Sequence, residues 1–255
     1  MGIKIALCQE GASANNVDYN LNMIMGTISQ NRADIYVFPE LFLSGYGADY
    51  RAIRDDVENA LNKIKLWCSE NDIAIVVGTP MYDGDRITNS VLFVTQARTY
   101  RYDKLYLAKF GIYAENEFTQ GNRPVMAEFK GMKFGLSICY DIFFPEIFRH
   151  YSKHGADVNI CVSASAKPSR PFLEKILPAR SLENVIYTVY VNNVGNTEEL
   201  EYYGHSRLVG PLGDTLDELE DCDEVRCVYV DRTVIANARK IRHHMSDFRT
   251  DIGWI

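Results

Sequence analysis

The stretch GMKFGLSICYDIFFPEIFR, Gly131 to Arg149, holds the residue best placed for covalent chemistry. It opens as an alternating strand, with Phe134, Leu136 and Ile138 on one face and Gly135, Ser137 and Cys139 on the other. Six residues past Cys139, Pro145 starts a helix-like run with Ile147 and Phe148 on its apolar side. A proline in a first helical turn loses nothing, because its missing N–H would have had no partner there. Cys139 therefore ends a strand just before a bend into a helix. There a thiol can stand clear of the sheet as a nucleophile, with backbone N–H groups nearby to receive an oxyanion. The plainer reading is a small core residue, since buried free cysteines are common. A base and an orienting group must be found elsewhere in the chain.

Three further positions supply candidates. Glu40 directly follows the apolar run Ile35 to Phe38, in FPELFLSGY. Flanked by Phe38, Leu41 and Phe42, its carboxylate would be poorly solvated, which raises a pKa toward a value useful to a general base. A loop carboxylate facing water is the alternative. Lys104 ends a strand between Tyr102 and Tyr106, although most lysines are simply exposed. Glu115, in GIYAENEFTQG, is a third candidate, with Glu117 beside it as a rival. His150 and His154 have the i, i+4 spacing of a metal pair, but no third ligand goes with them, and a helix C-terminus attracts histidine for its dipole. His243 and His244 are adjacent and cannot share a helix face. No metal is expected, and no glycine-rich phosphate cradle occurs.

The elements that must position these groups follow from periodicity. Residues 3–9 alternate as a strand, and Asn15 or Asn16 can cap a helix over about 17–31. A short strand at 35–38, a helix at about 50–71 and a buried strand at 73–80 follow. NSVLFV and TYRYDK add two strands, and Leu105 to Pro124 reads as a long loop, a length uncommon unless it lines a site. Beyond the cysteine come a strand at 157–162, a helix at about 171–185 and the strand IYTVYVNN. A strand pair flanks 211–214, and VRCVYVD ends the regular part ahead of a polar tail from Arg239. Interleaved strands and helices in both halves indicate an α/β architecture, and their near repetition hints at two sheets.

Composition excludes several classes. The chain has 255 residues, 47% hydrophobic and 24% charged, as in soluble globular proteins. A net charge of -7, without any basic block, argues against nucleic-acid binding. No run of about 18 apolar residues exists, so no membrane span is expected. The six cysteines form no CxxC pair and no signal-peptide pattern opens the chain, which together suggest free thiols in a reducing cytoplasm.

Taken together, FPE at 38–40, a lysine closing a strand at 104 and CYDIFFPE at 139–146 resemble the nitrilase, or carbon–nitrogen hydrolase, superfamily. NSVLFV at 89–94, ARSLENVIYTVYVNNVG at 179–195 and YGHSRLVGPLGD at 203–214 follow in that family's order, so the resemblance runs from Ile3 to about Arg249. It implies a four-layer α-β-β-α sandwich, a single domain over residues 1–255. It also implies a homodimer or larger homo-oligomer, with the tail at about 239–255 a candidate for the dimer interface. The implied triad is Glu40, Lys104 and Cys139, with Glu115 as a second glutamate and Glu117 as the alternative. The implied activity is hydrolysis of a non-peptide C–N bond in a small linear amide, without cofactor or metal. It runs through a Cys139 thioester, with Glu40 as base, Lys104 and the Tyr140 N–H at the oxyanion, and ammonia released.

CYD after the strand is closer to the amidase and ω-amidase branches than to true nitrilases, which usually have tryptophan after the cysteine. Phe143 stands where ω-amidases commonly carry arginine, so Tyr140, Phe143 and Phe144 suggest an apolar substrate pocket. The absence of a synthetase domain argues against glutamine-dependent NAD synthesis on this chain. An N-carbamoyl amine or acid hydrolase, an ω-amidase, a nitrilase and a silent binding module are the alternatives. Arg180, Glu183 and Asn184, at i, i+3 and i+4, take on a scaffold-supporting role under the resemblance, and Asp141 and Glu146 are expected to tie the bend around Cys139.

Overall fold

The computed structural model describes residues 2–110, 115–197, 200–249 and 251. Gly111, in the expected loop, and the last four residues of the tail lie outside that set. Two six-stranded sheets stack face to face with helices on both outer surfaces, which is the four-layer α-β-β-α arrangement.

The first sheet has the order β12-β1-β2-β3-β4-β5. It comprises β1 (Gly2–Gln9), β2 (Ile35–Val37), β3 (Ala74–Asp83), β4 (Arg86–Val94), β5 (Thr99–Asp103) and β12 (Glu224–Asp231). The second, β11-β10-β9-β8-β7-β6, comprises β6 (Met126–Phe129), β7 (Met132–Ile138), β8 (Val158–Ser163), β9 (Tyr187–Asn192), β10 (Arg207–Val209) and β11 (Thr215–Glu218). In each sheet three central strands run parallel: β1, β2 and β3 in one, β7, β8 and β9 in the other. The helices that cross between them are α1 (Val17–Gln30), α2 (Arg54–Glu70), α3 (Pro145–Lys153) and α4 (Arg170–Leu182).

Strand alternation decides which side chains meet. Ile3, Ile5 and Leu7 of β1 face Phe134, Leu136 and Ile138 of β7 across the space between the sheets. The opposite faces carry Ala6 and Cys8 toward α1 and α2, and Cys161 and Tyr190 toward α3 and α4. Gly135 leaves room for Tyr151 of α3, whose ring lies 2.4 Å from where a Cβ would sit. Tyr151 then donates its hydroxyl to Leu136 O at 2.5 Å, locking α3 to the strand that ends at the cysteine.

Several boundaries differ from the sequence reading. The second helix begins at Arg54 rather than near residue 50, because Asp49 folds the preceding residues into their own turn, accepting from Ala52 N at 3.1 Å. The strand β6 was not foreseen; it forms a hairpin with β7 through Lys130 and Gly131, both at positive φ. Regular structure also continues past Asp231 into α5 (Arg232–Ile241), where Asp231 caps the helix by accepting from Thr233 N at 2.8 Å. Among the described residues no helix is long and apolar enough to cross a membrane.

The close approach of Gly78 in β3 to the turn after β2 bears directly on Glu40. A Cβ on Gly78 would lie 2.3 Å from Pro39 O and 2.4 Å from Leu41 N, both backbone atoms. Leu41, at φ 50°, completes that tight turn. Gly78→Ala should therefore displace Glu40, costing roughly 3 kcal/mol in urea unfolding and most of any catalytic activity. A variant that unfolds at the wild-type urea concentration would show that the turn yields freely.

Candidate active site

The loop ends bring three charges together inside the protein. Glu40 follows β2, Lys104 follows β5, and Glu115 comes from the long loop after β5; all three are buried. The Lys104 ammonium donates to Glu40 Oε1 at 2.7 Å and to the Glu115 carboxylate at 2.9 Å. Asn89 of β4 donates through Nδ2 to both carboxylates, at 2.7 Å each. The backbone supplies the rest: Ala164 N donates to Glu40 Oε2 at 2.8 Å, and Ala108 N to Glu115 Oε2 at 2.7 Å.

Such charges are costly to bury singly, and here each is met by opposite charge or by a donor. Burial works against the Lys104 ammonium, but Glu40, Cys139 and Glu115 outweigh it and hold its pKa well above the usual lysine value. Burial raises Glu115 despite the pull of Lys104. Glu117 is exposed two residues away, so of the two rivals Glu115 is the one that meets Lys104.

Cys139 starts a 3-10 turn, Cys139–Phe143, at the end of β7. Its backbone is at φ 45°, the left-handed region that a non-glycine residue enters only at a cost of order 1–3 kcal/mol. Asp141 holds the turn, accepting from Ile138 N at 2.9 Å, Tyr106 N at 2.9 Å and Tyr102 OH at 2.7 Å. Arg180 of α4 braces the same turn, donating to Ile142 O at 2.7 Å while pairing with Glu183 at 2.9 Å. Glu146, expected to share this work, is exposed in the first turn of α3, where the helix dipole favours a carboxylate.

The Cys139 Sγ lies 3.4 Å from Ser165 Oγ, which is itself 2.7 Å from Ser163 Oγ. Burial, then the neighbouring Glu40 carboxylate, pushes the thiol up to about 11, while Lys104 and the two serine hydroxyls pull it down. The thiol is therefore protonated in the resting site, and a base must take its proton when it attacks.

Glu40, Lys104 and Cys139 all open into one cavity of about 370 Å³. Tyr46, Phe110, Tyr140, Phe143 and Phe172 form most of its wall, with Ser165 and Ser169 between them. A thiol, a carboxylate and an ammonium around one such cavity are equipped for acyl transfer: a nucleophile, a proton carrier and an oxyanion partner.

The profile of the carbon-nitrogen hydrolases matches residues 4–240. The chain belongs to this family. It is 31% identical to an (R)-stereoselective amidase from a Pseudomonas species over 97% of its length and 92% of the relative's. It is 29% identical to a nitrilase of Pyrococcus abyssi over 93% of each chain. An amidase from Nesterenkonia, solved also with butyramide bound to a mutant, superposes with a TM-score of 0.82 at 26% identity over 95% of both chains.

Not every expected site residue of this carbon–nitrogen hydrolase lines the cavity. Tyr140 and Phe143 do, but Phe144 stacks on Tyr106 with ring centroids 3.4 Å apart and supports Tyr140 from behind. The sequence reading missed Asn89, Tyr46, Ser165 and Phe172 as site residues. Asn89 was hidden inside NSVLFV, where its alternation with Ser90 and Val91 carries no mark of two carboxylate partners. Among the described residues no three metal-ligating side chains come together; His150 and His154 lie with ring centroids 4.1 Å apart on the exposed side of α3.

Asp141 generates a pH-dependent prediction. Burial pushes it up to about 6, against the pull of Lys104 and of its three donors. A carboxyl whose folded pKa exceeds its unfolded value contributes stability that is present below the unfolded pKa and lost as pH rises through the folded one. Asp141→Ala should unfold more easily at pH 7, by roughly 2–4 kcal/mol for three stranded donors. Its deficit against wild type should widen by about 2 kcal/mol as pH falls from 7 to 4. Urea unfolding across that range checks this; a deficit independent of pH would contradict it.

Proposed function

We propose that this chain hydrolyses the C–N bond of a small linear carboxamide through a Cys139 thioester, releasing ammonia. Glu40 takes the thiol proton as sulfur attacks the carbonyl carbon. The carbonyl oxygen becomes an oxyanion held by the Lys104 ammonium and the Tyr140 N–H. Glu40 passes the proton to the nitrogen, the C–N bond breaks, and ammonia leaves behind an acyl thioester. Water then gives a proton to Glu40 and its oxygen to the acyl carbon. The carboxylic acid departs, and the proton returns to the sulfur.

The observation that carries this reading is the ammonium of Lys104, clasped between Glu40 and Glu115 on the wall into which Cys139 opens. Pinned at both carboxylates, it needs no reorganisation when charge develops on the substrate oxygen. Glu115 acts through Lys104 and Asn89, holding both in place. The amidases among the relatives support the amide as substrate.

The test is ammonia release from a panel of amides, N-carbamoyl compounds and nitriles. Wild type should release ammonia from amides without carbon dioxide, which an N-carbamoyl hydrolase would also produce. Added hydroxylamine should divert the thioester to a hydroxamate. Cys139→Ala should abolish both products, and Lys104→Met should lower kcat by about 10²–10³ or more, the usual loss for one oxyanion donor. Amide turnover surviving in Cys139→Ala would refute the thioester route.

A further inference from the structure

The cavity wall carries information about the acyl group that enters it. Phe110, Tyr140 and Phe143 form one continuous aromatic surface: Phe110 meets Tyr140 edge-on at 5.2 Å, and Tyr140 meets Phe143 at 5.6 Å between centroids. Phe172 of α4 stands at the mouth of the same cavity. Phe110 and Phe172 are 56% and 59% exposed, large apolar rings held in water beside the entrance to a buried site. Exposed rings grouped at a cleft mark a surface that another apolar body covers.

Charge on the wall points the same way. Among the described residues, the cationic group lining the cavity is Lys104; two of its three donors go to Glu40 and Glu115, and the third is the one the amide oxygen takes. The basic residues next along the chain are not part of the wall. Lys167 pairs with Glu201 and Asp221, and Arg170 pairs with Glu174 while lying 5.5 Å over the Tyr203 ring. Lys109 is exposed. A carboxylate on the substrate's acyl group would be stripped of water against phenyl rings with no cationic partner to receive it. Apart from Glu40 and Cys139, the other polar side chains on the wall are the hydroxyls of Tyr46, Tyr140, Ser165 and Ser169, none of them a cation.

Size sets the other bound. A cavity of about 370 Å³ exceeds twice the ~150 Å³ that suffices for benzene in an apolar protein cavity. It holds a carboxamide and a ring-sized body together.

Resting on the amide hydrolysis proposed above, we infer that the substrate is an uncharged carboxamide whose acyl group ends in an apolar, ring-sized body seated among Tyr140, Phe143 and Phe172. These three aromatics are specificity residues: they touch the acyl group and leave the reacting atoms to Cys139, Glu40 and Lys104.

The experiment compares four primary amides on the wild-type protein: 3-phenylpropanamide, pentanamide, the monoamide of glutaric acid and 5-aminopentanamide. It also measures calorimetric binding of each to Cys139→Ala. The expected order of kcat/KM places 3-phenylpropanamide about tenfold or more above pentanamide, and both charged amides about 100-fold or more below it. Phe172→Ala should raise KM for 3-phenylpropanamide about tenfold, and Phe172→Leu should recover most of that loss. If either charged amide matches pentanamide, or pentanamide matches 3-phenylpropanamide, the inferred acyl group is wrong while amide hydrolysis stands. If the ring-bearing amide binds Cys139→Ala best yet wild type cleaves none of the four, the hydrolytic reading fails and the apolar site remains. No binding and no cleavage would overturn both.

Discussion

An ammonium buried between two carboxylates is the constraint on which this protein depends. The Lys104 and Glu40 side chains are 2% and 1% exposed, so neither can lean on water. Removing one member of such a pair typically costs about 3–5 kcal/mol, because the survivor is left charged and unpaired. The cluster therefore has to be assembled completely. That need explains the convergence of β2, β4, β5, the long loop and the Ala164 backbone on one point. It also explains Asn89, whose amide donates to both carboxylates and keeps them from repelling one another freely.

The second sheet meets this cluster with a cysteine held in an unfavourable backbone conformation. The left-handed φ at Cys139 persists because Asp141 receives three donors and Arg180 fastens Ile142. Two of those donors, Tyr102 OH and Tyr106 N, flank Lys104 along the chain. The bend that presents the sulfur and the strand end that presents the ammonium are thus tied by the same carboxylate. Displacing one would displace the other, which gives the site its rigidity.

Legibility followed the range of the interactions. The elements β1, β3, β7, β8 and β9 were readable because burial on both faces or strict alternation leaves a local signature. The proline at the start of α3 was equally local, and so was the α1 cap, narrowed to Asn15 or Asn16 by sequence and found at Asn16. The strand β6 was obscured because it is an edge strand only four residues long, and its MAEF pattern gains meaning from β7 alone. The helix α5 was obscured by its polarity: among its described residues only Ile235 and Ala238 are buried.

The chain by itself determined the family, the order of the elements and the identity of Glu40, Lys104 and Cys139 as the groups worth attention, since motif order and strand ends are properties of neighbouring residues. It favoured Glu115 but kept Glu117 as the alternative, because two glutamates two positions apart in a loop share much the same local surroundings. The tertiary structure separated them by turning one toward Lys104 and the other toward solvent. It likewise put Phe143 in the cavity wall and Phe144 behind it, and brought Phe172, 33 residues beyond the cysteine, to the cavity mouth. Which side chain faces a cavity is set by the packing of elements distant along the chain, and no local pattern records that packing.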